Sequence, residues 1–123
     1  DTADVADAAA ADSVLPDGSI LDEDTRRRGV EMARAAWEMR KTADAWVARL
    51  APQWPPHRQP GVDRAILRLS LWELTSGQTP PKVVIDEAVE MAKTFSTAQS
   101  PAFVNAVLDS VLKEVQQLTG KTP

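Results

Sequence analysis

Apolar residues recur at helical spacing in several segments of the chain. The first segment covers residues 22–51 and contains no proline, so we predict one long helix that an aspartate caps and Pro52 ends. The second segment, residues 61–76, is apolar on two sides of a helix. This pattern predicts a helix at the centre of the fold, with Leu69 at its buried middle.

Two more helices are predicted in the second half of the chain. Gly77 suits a backbone with positive φ, and the following segment, residues 82–95, carries two adjacent apolar stripes. Ser100 and Pro101 are typical of an N-cap and a first helical turn, and apolar spacing continues towards Gly120. No segment alternates with period two for long. The sequence therefore predicts an all-α fold, a compact bundle of about four helices.

The segment PQWPPHRQPG, residues 52–61, separates the first two predicted helices. It holds four prolines, each of which fixes φ and removes a backbone donor. We therefore expect an ordered or extended connector rather than a helix. Trp54 offers a large apolar area, and we expect its burial to anchor the connector.

Charge is distributed unevenly along the chain. The first 24 residues contain eight acidic residues and no basic one, whereas the remainder carries 14 basic and 10 acidic residues. Residues 1–20 are rich in Asp and Ala and poor in large apolar side chains, which predicts an acidic tail or linker. Residues 21–123 then form the helical domain. A solvated linker is favoured over the alternative, in which the acids imitate a phosphate backbone and shield a basic body.

Several kinds of chemistry find no support in the sequence. There is no cysteine and only one histidine, His57, which excludes thiolate catalysis and a histidine-rich metal centre. There is no Gly-rich phosphate loop and no Gly-x-Ser-x-Gly motif. Asp86, Glu87 and Glu90 fit a solvated helix face. We expect no catalytic residue, no metal and no cofactor.

Apolar runs are also too short for a membrane span, and the first residues do not have the pattern of a signal peptide. The sequence thus predicts a cytoplasmic protein.

Arg26, Arg27 and Arg28 form the strongest basic run, but successive helical positions point about 100° apart. Contact with phosphates and pairing with neighbouring acids both stay open for them. Glu73 lies on an apolar side of its helix, where a partly buried carboxylate needs a donor.

Three consecutive segments carry a family resemblance. They read GVDRAILRLSLWEL, TPPKVVIDEAVEMAKTFS and SPAFVNAVLDSVL, in that order. Order, spacing and residue types resemble the NusB family of transcription antitermination factors, and a weaker match to the preceding helix extends the resemblance to about 95 residues. Trp72, Asp86 and Ala106 stand where the family usually has tyrosine, asparagine and glycine. None of these departures breaks a helix.

The resemblance implies a non-catalytic, RNA- and protein-binding factor that acts in transcription antitermination of ribosomal RNA operons. The implied partners are NusE, a small-subunit ribosomal protein, boxA-type single-stranded RNA and the RNA polymerase antitermination complex. The family's main RNA-binding element, an arginine-rich first helix, is not matched by Arg26–Arg28. Because the sequence begins at Asp1 rather than at methionine, we expect that helix to lie upstream.

The resemblance also implies which residues make the contacts. It implies RNA contact near the loop before the last helix, at Gln99, Ser100 and Phe103, and Lys82 and Lys93 are generic candidates for contact with phosphates. Phe103 is able to stack on a base, although packing in the core explains an apolar residue there equally well. Asp63, at what we expect to be the exposed opening of its helix, matches a family acid that lies towards NusE. A favourable interaction with the helix dipole is an equally good explanation.

Two other functions remain compatible with these segments. A similar helical domain precedes the catalytic part of some ribosomal RNA cytosine methyltransferases, so the chain could be an RNA-binding accessory domain. Such an enzyme needs a Rossmann-type domain beyond Pro123, and none begins in these residues. A divergent paralogue that keeps the fold but has lost RNA binding is the third interpretation.

Overall fold

A computed structural model describes residues 22–120 of the chain. The elements in this range are α1 (Glu23–Glu38), α2 (Arg40–Leu50), a 3-10 turn (Pro56–Arg58), α3 (Gly61–Ser76), α4 (Pro81–Phe95) and α5 (Ser100–Thr119). Within the described range there is no strand, which confirms the all-α prediction. The predicted acidic tail, residues 1–20, lies outside the described residues.

The single helix predicted for residues 22–51 is wrong, because the helix is interrupted at Met39. The backbone of Met39 has φ −89° and ψ 0°, within the right-handed region but displaced from regular α-helical values, and α2 begins at the next residue. The chain also divides into two compact units at this point. One unit ends at Glu38 and the other begins at Met39. Neither proline nor glycine, the usual helix-breaking residues, marks the break.

The first unit contains α1, whose start is capped as expected. Asp22 accepts the backbone N–H of the third residue after it at 2.8 Å. Ion pairs join Arg26 to Glu23 at 2.6 Å and Arg27 to Asp24 at 2.9 Å. Pairing with neighbouring acids is therefore confirmed for two of the three consecutive arginines.

In the second unit α3 lies in the middle, as predicted. The side of α3 that is buried differs from the predicted one. Leu67 and Leu71 are 2% and 0% exposed, and Leu74 is also buried. Leu69 is only partly buried and lies outside the core, so the prediction that it sits at the centre is wrong. On an α-helix, position 69 points about 200° away from both 67 and 71, whereas 67, 71 and 74 share one side.

Helices α2, α4 and α5 complete the core around α3. α4 packs against both α3 and α5, and α2 packs against α3 and α5. The buried core side chains of this unit are Ala43, Val47, Ile66, Leu67, Leu71, Leu74, Val84, Ile85, Ala88, Ala92, Val104, Val107, Leu108 and Val111. Ala88 and Ala92 have no exposed surface. Such small side chains one turn apart allow the neighbouring helices to approach α4 closely.

Polar contacts fix α2 to the helices beside it. Arg68 on α3 donates two hydrogen bonds to the carboxylate of Asp44, at 2.9 and 2.6 Å. On α5, Glu114 accepts the indole N–H of Trp46 at 2.6 Å and a guanidinium N–H of Arg49 at 3.0 Å. These charge-assisted bonds connect segments that are far apart in sequence.

The Glu114 contacts predict a pH-dependent stability. Hydrogen bonds from Arg49 and Trp46 hold the pKa of Glu114 below its usual value. A carboxyl whose pKa is lowered by folding stabilises the protein above the unfolded pKa, about 4.3, and this contribution disappears as pH falls through the folded-state value. We expect Glu114→Gln to lower the melting temperature at pH 7 and to lower it less at pH 3.

Thermal melts followed by circular dichroism measure this difference. Glu90→Gln is the matched control, because Glu90 pairs only across one turn of an exposed helix face with Lys93. Equal losses for the two variants at pH 7, or a Glu114→Gln loss that does not shrink at pH 3, would contradict the assignment.

Candidate nucleic-acid interface

A groove of about 350 Å³ lies where the Pro-rich connector meets the beginnings of α3 and α5. Its lining residues come from the connector, the first turn of α3, the α4–α5 turn and the first turn of α5. They are Trp54, Arg58, Pro60, Asp63, Thr97, Gln99, Ser100 and Phe103.

The connector wall of the groove is ordered by Gln59. This side chain is 6% exposed, and its amide donates a hydrogen bond to the carbonyl of Trp54 at 3.0 Å. Arg64 on α3 donates to the carbonyl of Pro56 at 3.3 Å. Trp54 itself is 50% exposed, so the expectation that its burial anchors the connector is wrong. Prolines lack N–H donors, so these side-chain bonds add to the few backbone bonds of the segment, which the N–H groups of Trp54, Arg58 and Gln59 donate.

An aromatic pair forms one end of the groove. The ring centroids of Trp54 and Phe103 lie 6.3 Å apart, and their planes meet at 47°, an ordinary geometry for packed aromatic rings. Phe103 also packs against the hydrophobic core. Both interpretations of Phe103 are therefore compatible with its position, since one part of the ring contacts the core and another lines the groove.

A hydrogen-bond network surrounds Asp63, which lines the groove. The prediction that this residue is exposed is wrong, because Asp63 is only 2% exposed. Ser96 donates to one carboxylate oxygen at 2.5 Å, and Ser100 donates to the other at 2.8 Å. The carboxylate of Asp63, in the first turn of α3, thereby holds the turn between α4 and α5.

Ser100 also differs from its predicted role. It is the first residue of α5 rather than its N-cap, and it is 1% exposed. Its hydroxyl accepts the backbone N–H of Thr97 at 3.2 Å and lies 2.8 Å from the Thr97 hydroxyl. Ser100 therefore stabilises the turn from inside, and little of its surface is available to a ligand.

The remaining candidate residues are not all brought together. Gln99 is exposed and lines the groove. Lys93 lies in the last turn of α4, two residues before the helix ends at Phe95, and its ammonium group is 3.2 Å from Glu90. Lys82 is in the first turn of the same helix, about 16 Å further along the axis at 1.5 Å per residue. One nucleotide in the groove cannot contact both lysines.

Glu73 lies outside the groove and fits the structural interpretation. Partial burial and the nearby charge of Glu87 raise the pKa of Glu73, while a hydrogen bond with the Thr79 side chain opposes this shift.

Four residues of the groove are not among the candidates that the sequence supplies. Trp54, Arg58 and Pro60 belong to the connector, and Thr97 belongs to the turn before α5. The spacing within each segment carries no information on which connector residue faces which helix. The connector was a reasonable place to look, because binding residues are often carried by loops that a rigid scaffold positions.

The groove has the chemistry needed for an unpaired nucleobase. Its aromatic rings offer apolar faces, the amide of Gln99 can both donate and accept, and Arg58 supplies an exposed positive charge. The described residues, 22–120, hold no group of three or more acidic or histidine side chains placed to bind a metal ion. No helix in the same range is long and apolar enough to cross a membrane.

Comparisons with known proteins identify similar chains. The NusB family matches residues 3–113. Transcription antitermination protein NusB of Symbiobacterium thermophilum is 41% identical over 101 residues, covering 81% of this chain and 66% of the relative. The protein of the same name from Herpetosiphon aurantiacus is 38% identical over 104 residues, covering 81% and 71%. The matched region thus spans about two thirds of the length of these relatives.

A solved structure shows the same fold. The structure of T. maritima NusB superposes with a TM-score of 0.72 at 35% sequence identity. The superposition covers 76% of this chain and 67% of the T. maritima chain.

Proposed function

The chain belongs to the NusB family, and from that premise we propose that it is a non-catalytic, cytoplasmic factor for transcription antitermination in ribosomal RNA operons. It binds boxA-type single-stranded RNA and the small-subunit ribosomal protein NusE, and joins the RNA polymerase antitermination complex. The observation that carries this proposal is the aromatic pair of Trp54 and Phe103 in a groove beside Arg58.

Single-stranded RNA suits the groove better than a duplex does. Unstacked bases can lie against aromatic rings, whereas bases inside an A-form helix are closed to side chains. Trp54 and Phe103 supply the stacking surfaces, and Gln99 supplies hydrogen bonds to a base edge. We assign Arg58 and Lys93 to the adjoining phosphates, and Lys82 to a phosphate further along the strand.

Contact with NusE is assigned to the surface next to Asp63 rather than to its buried carboxylate. Val62 precedes Asp63 on α3 and is 38% exposed, and Phe95 precedes Ser96 and is 69% exposed. The residues that follow them, Asp63 and Ser96, are joined by a hydrogen bond. Exposed apolar groups of this kind are common in the centres of protein interfaces.

Binding to boxA RNA should have a shallow salt dependence if the groove is the main contact. Two or three phosphate contacts on a single strand give a log–log slope of roughly −1.4 to −2.1. Fluorescence anisotropy at several salt concentrations, with labelled boxA RNA and a scrambled sequence of equal length, measures both slope and specificity. Repeating the titration with NusE tests the joint complex.

The proposal requires tighter binding to boxA than to the scrambled RNA, and a further gain in affinity with NusE. Equal affinity for both RNAs together with no gain from NusE would leave the fold assignment intact and defeat the function.

A further inference from the structure

We propose that Ser96 is a positioning residue for RNA binding, which fixes the α4–α5 turn through Asp63 without contacting the RNA itself. The inference rests on the proposed function. Ser96 is not among the side chains that line the groove, whereas the residue after it, Thr97, is. Any effect of the Ser96 hydroxyl on RNA affinity must therefore pass through its neighbours.

Ser96 stands where the chain leaves α4. Its backbone N–H bonds to the carbonyl of Ala92 at 3.0 Å, and its backbone is extended, with φ −127° and ψ −157°. Its hydroxyl reaches across to α3 and bonds to Asp63 at 2.5 Å. One residue therefore ends the helix and fastens the chain to a neighbouring helix at the same point.

The turn that follows has few other ties. Its residues, Thr97 to Gln99, are exposed. The backbone N–H of Ser100 donates to the carbonyl of Thr97 at 3.1 Å, and the backbone N–H of Thr97 donates to the Ser100 hydroxyl at 3.2 Å. The position of the turn thus depends on where the Ser96 and Ser100 hydroxyls are held.

The donors and acceptors around Asp63 explain why a carboxylate holds the hydroxyls of Ser96 and Ser100. The Ser100 oxygen accepts the backbone N–H of Thr97 and lies 2.8 Å from the Thr97 hydroxyl. Its single proton lies within reach of Asp63 at 2.8 Å and of the Ser96 oxygen at 3.0 Å, and we assign it to the shorter contact, with the carboxylate. The proton of Ser96 takes the other carboxylate oxygen. An ionised carboxyl only accepts, and its two oxygens satisfy both hydroxyls at once. Loss of either hydroxyl frees one side of the turn.

A stabilising network and a positioning network predict different results. A purely stabilising bond lowers the free energy of unfolding but leaves the RNA affinity of the folded protein unchanged. A positioning bond changes affinity in the fully folded protein, because Gln99 and Phe103 then reach the RNA from a less ordered turn, and ordering them costs binding free energy.

The test compares Ser96→Ala, Ser96→Thr and Ser76→Ala. Threonine keeps the hydroxyl, and the extended backbone at position 96 suits a β-branched side chain. Ser76→Ala makes the same chemical change at the opposite end of α3, where the hydroxyl bonds only to the carbonyl of Glu73. Dissociation constants for boxA RNA are measured by anisotropy at a temperature where circular dichroism shows every variant folded.

We expect Ser96→Ala to bind boxA RNA roughly threefold to tenfold more weakly, the loss of about one hydrogen bond, and Ser96→Thr to restore most of the affinity. Ser76→Ala should bind like the parent chain. Without RNA, amide hydrogen exchange by NMR should show faster exchange at Thr97 in Ser96→Ala only.

Unchanged affinity in Ser96→Ala, with the parent chain binding boxA, would overturn the inference, as would failure of Ser96→Thr to restore binding. If the parent chain binds no RNA, the proposed function fails and the role of Ser96 in RNA binding fails with it. The exchange measurement separates these cases, because it reports whether Ser96 fastens the turn in the absence of RNA.

Discussion

Replacing Phe103 with alanine is expected to weaken binding of boxA RNA by roughly fivefold to 150-fold. This range corresponds to the loss of one base stacked on an aromatic ring, about 1–3 kcal/mol. Phe103 lines the groove and lies 6.3 Å from Trp54, so its truncation also removes one neighbour of the second stacking surface. Anisotropy titrations at constant salt measure the loss.

Phe95→Ala is the matched control. The chain has two phenylalanines, and Phe95 is 69% exposed and does not line the groove. Its loss should leave RNA affinity unchanged in the absence of NusE. Because Phe103 also touches the core, both variants are compared under conditions where their helical content equals that of the parent chain. Equal RNA affinity of Phe103→Ala and Phe95→Ala would contradict a role for the aromatic pair.

The largest effect on stability is expected from Leu71→Ala, which should lower the free energy of unfolding by about 2–5 kcal/mol. Leu71 has no exposed surface and lies in the middle of α3, where the surrounding helices cannot easily close the cavity. Leu69→Ala removes the same atoms from the same helix and is the control. Because Leu69 is only partly buried, its truncation should cost clearly less. Urea denaturation of both variants decides the point, and equal costs would contradict the observed orientation of α3.

Periodicity and terminal residues predicted α3, α4 and α5 closely. The structure confirms the glycine expected after α3, since Gly77 has φ 71°, and Pro81 begins α4 as a first-turn proline. These elements are specified by local chemistry, and a local pattern is sufficient to find them.

The features that depend on packing could not be read in this way. The break at Met39 has no glycine or proline, and its only trace is that the apolar residues of segment 22–51 fall into two stripes. The prediction of Leu69 as the buried centre is wrong because α3 is apolar on two sides, and the pattern alone does not show which side faces the core. Asp63 looked like an exposed first-turn acid, and its burial depends on serines that lie more than thirty residues later in the chain.

The distance in sequence between the residues that form the groove has a consequence for folding. α3, α4 and α5 are consecutive and joined by short connectors, so they form many contacts between residues that are close in sequence and should assemble quickly. The groove requires Trp54 to meet Phe103 across both intervening helices, and closing that larger loop costs more chain entropy. We therefore expect the groove to be completed after the helices and to open before they melt. RNA that binds only the completed groove would oppose this opening by mass action, so the ligand would stabilise the part of the protein that is slowest to form.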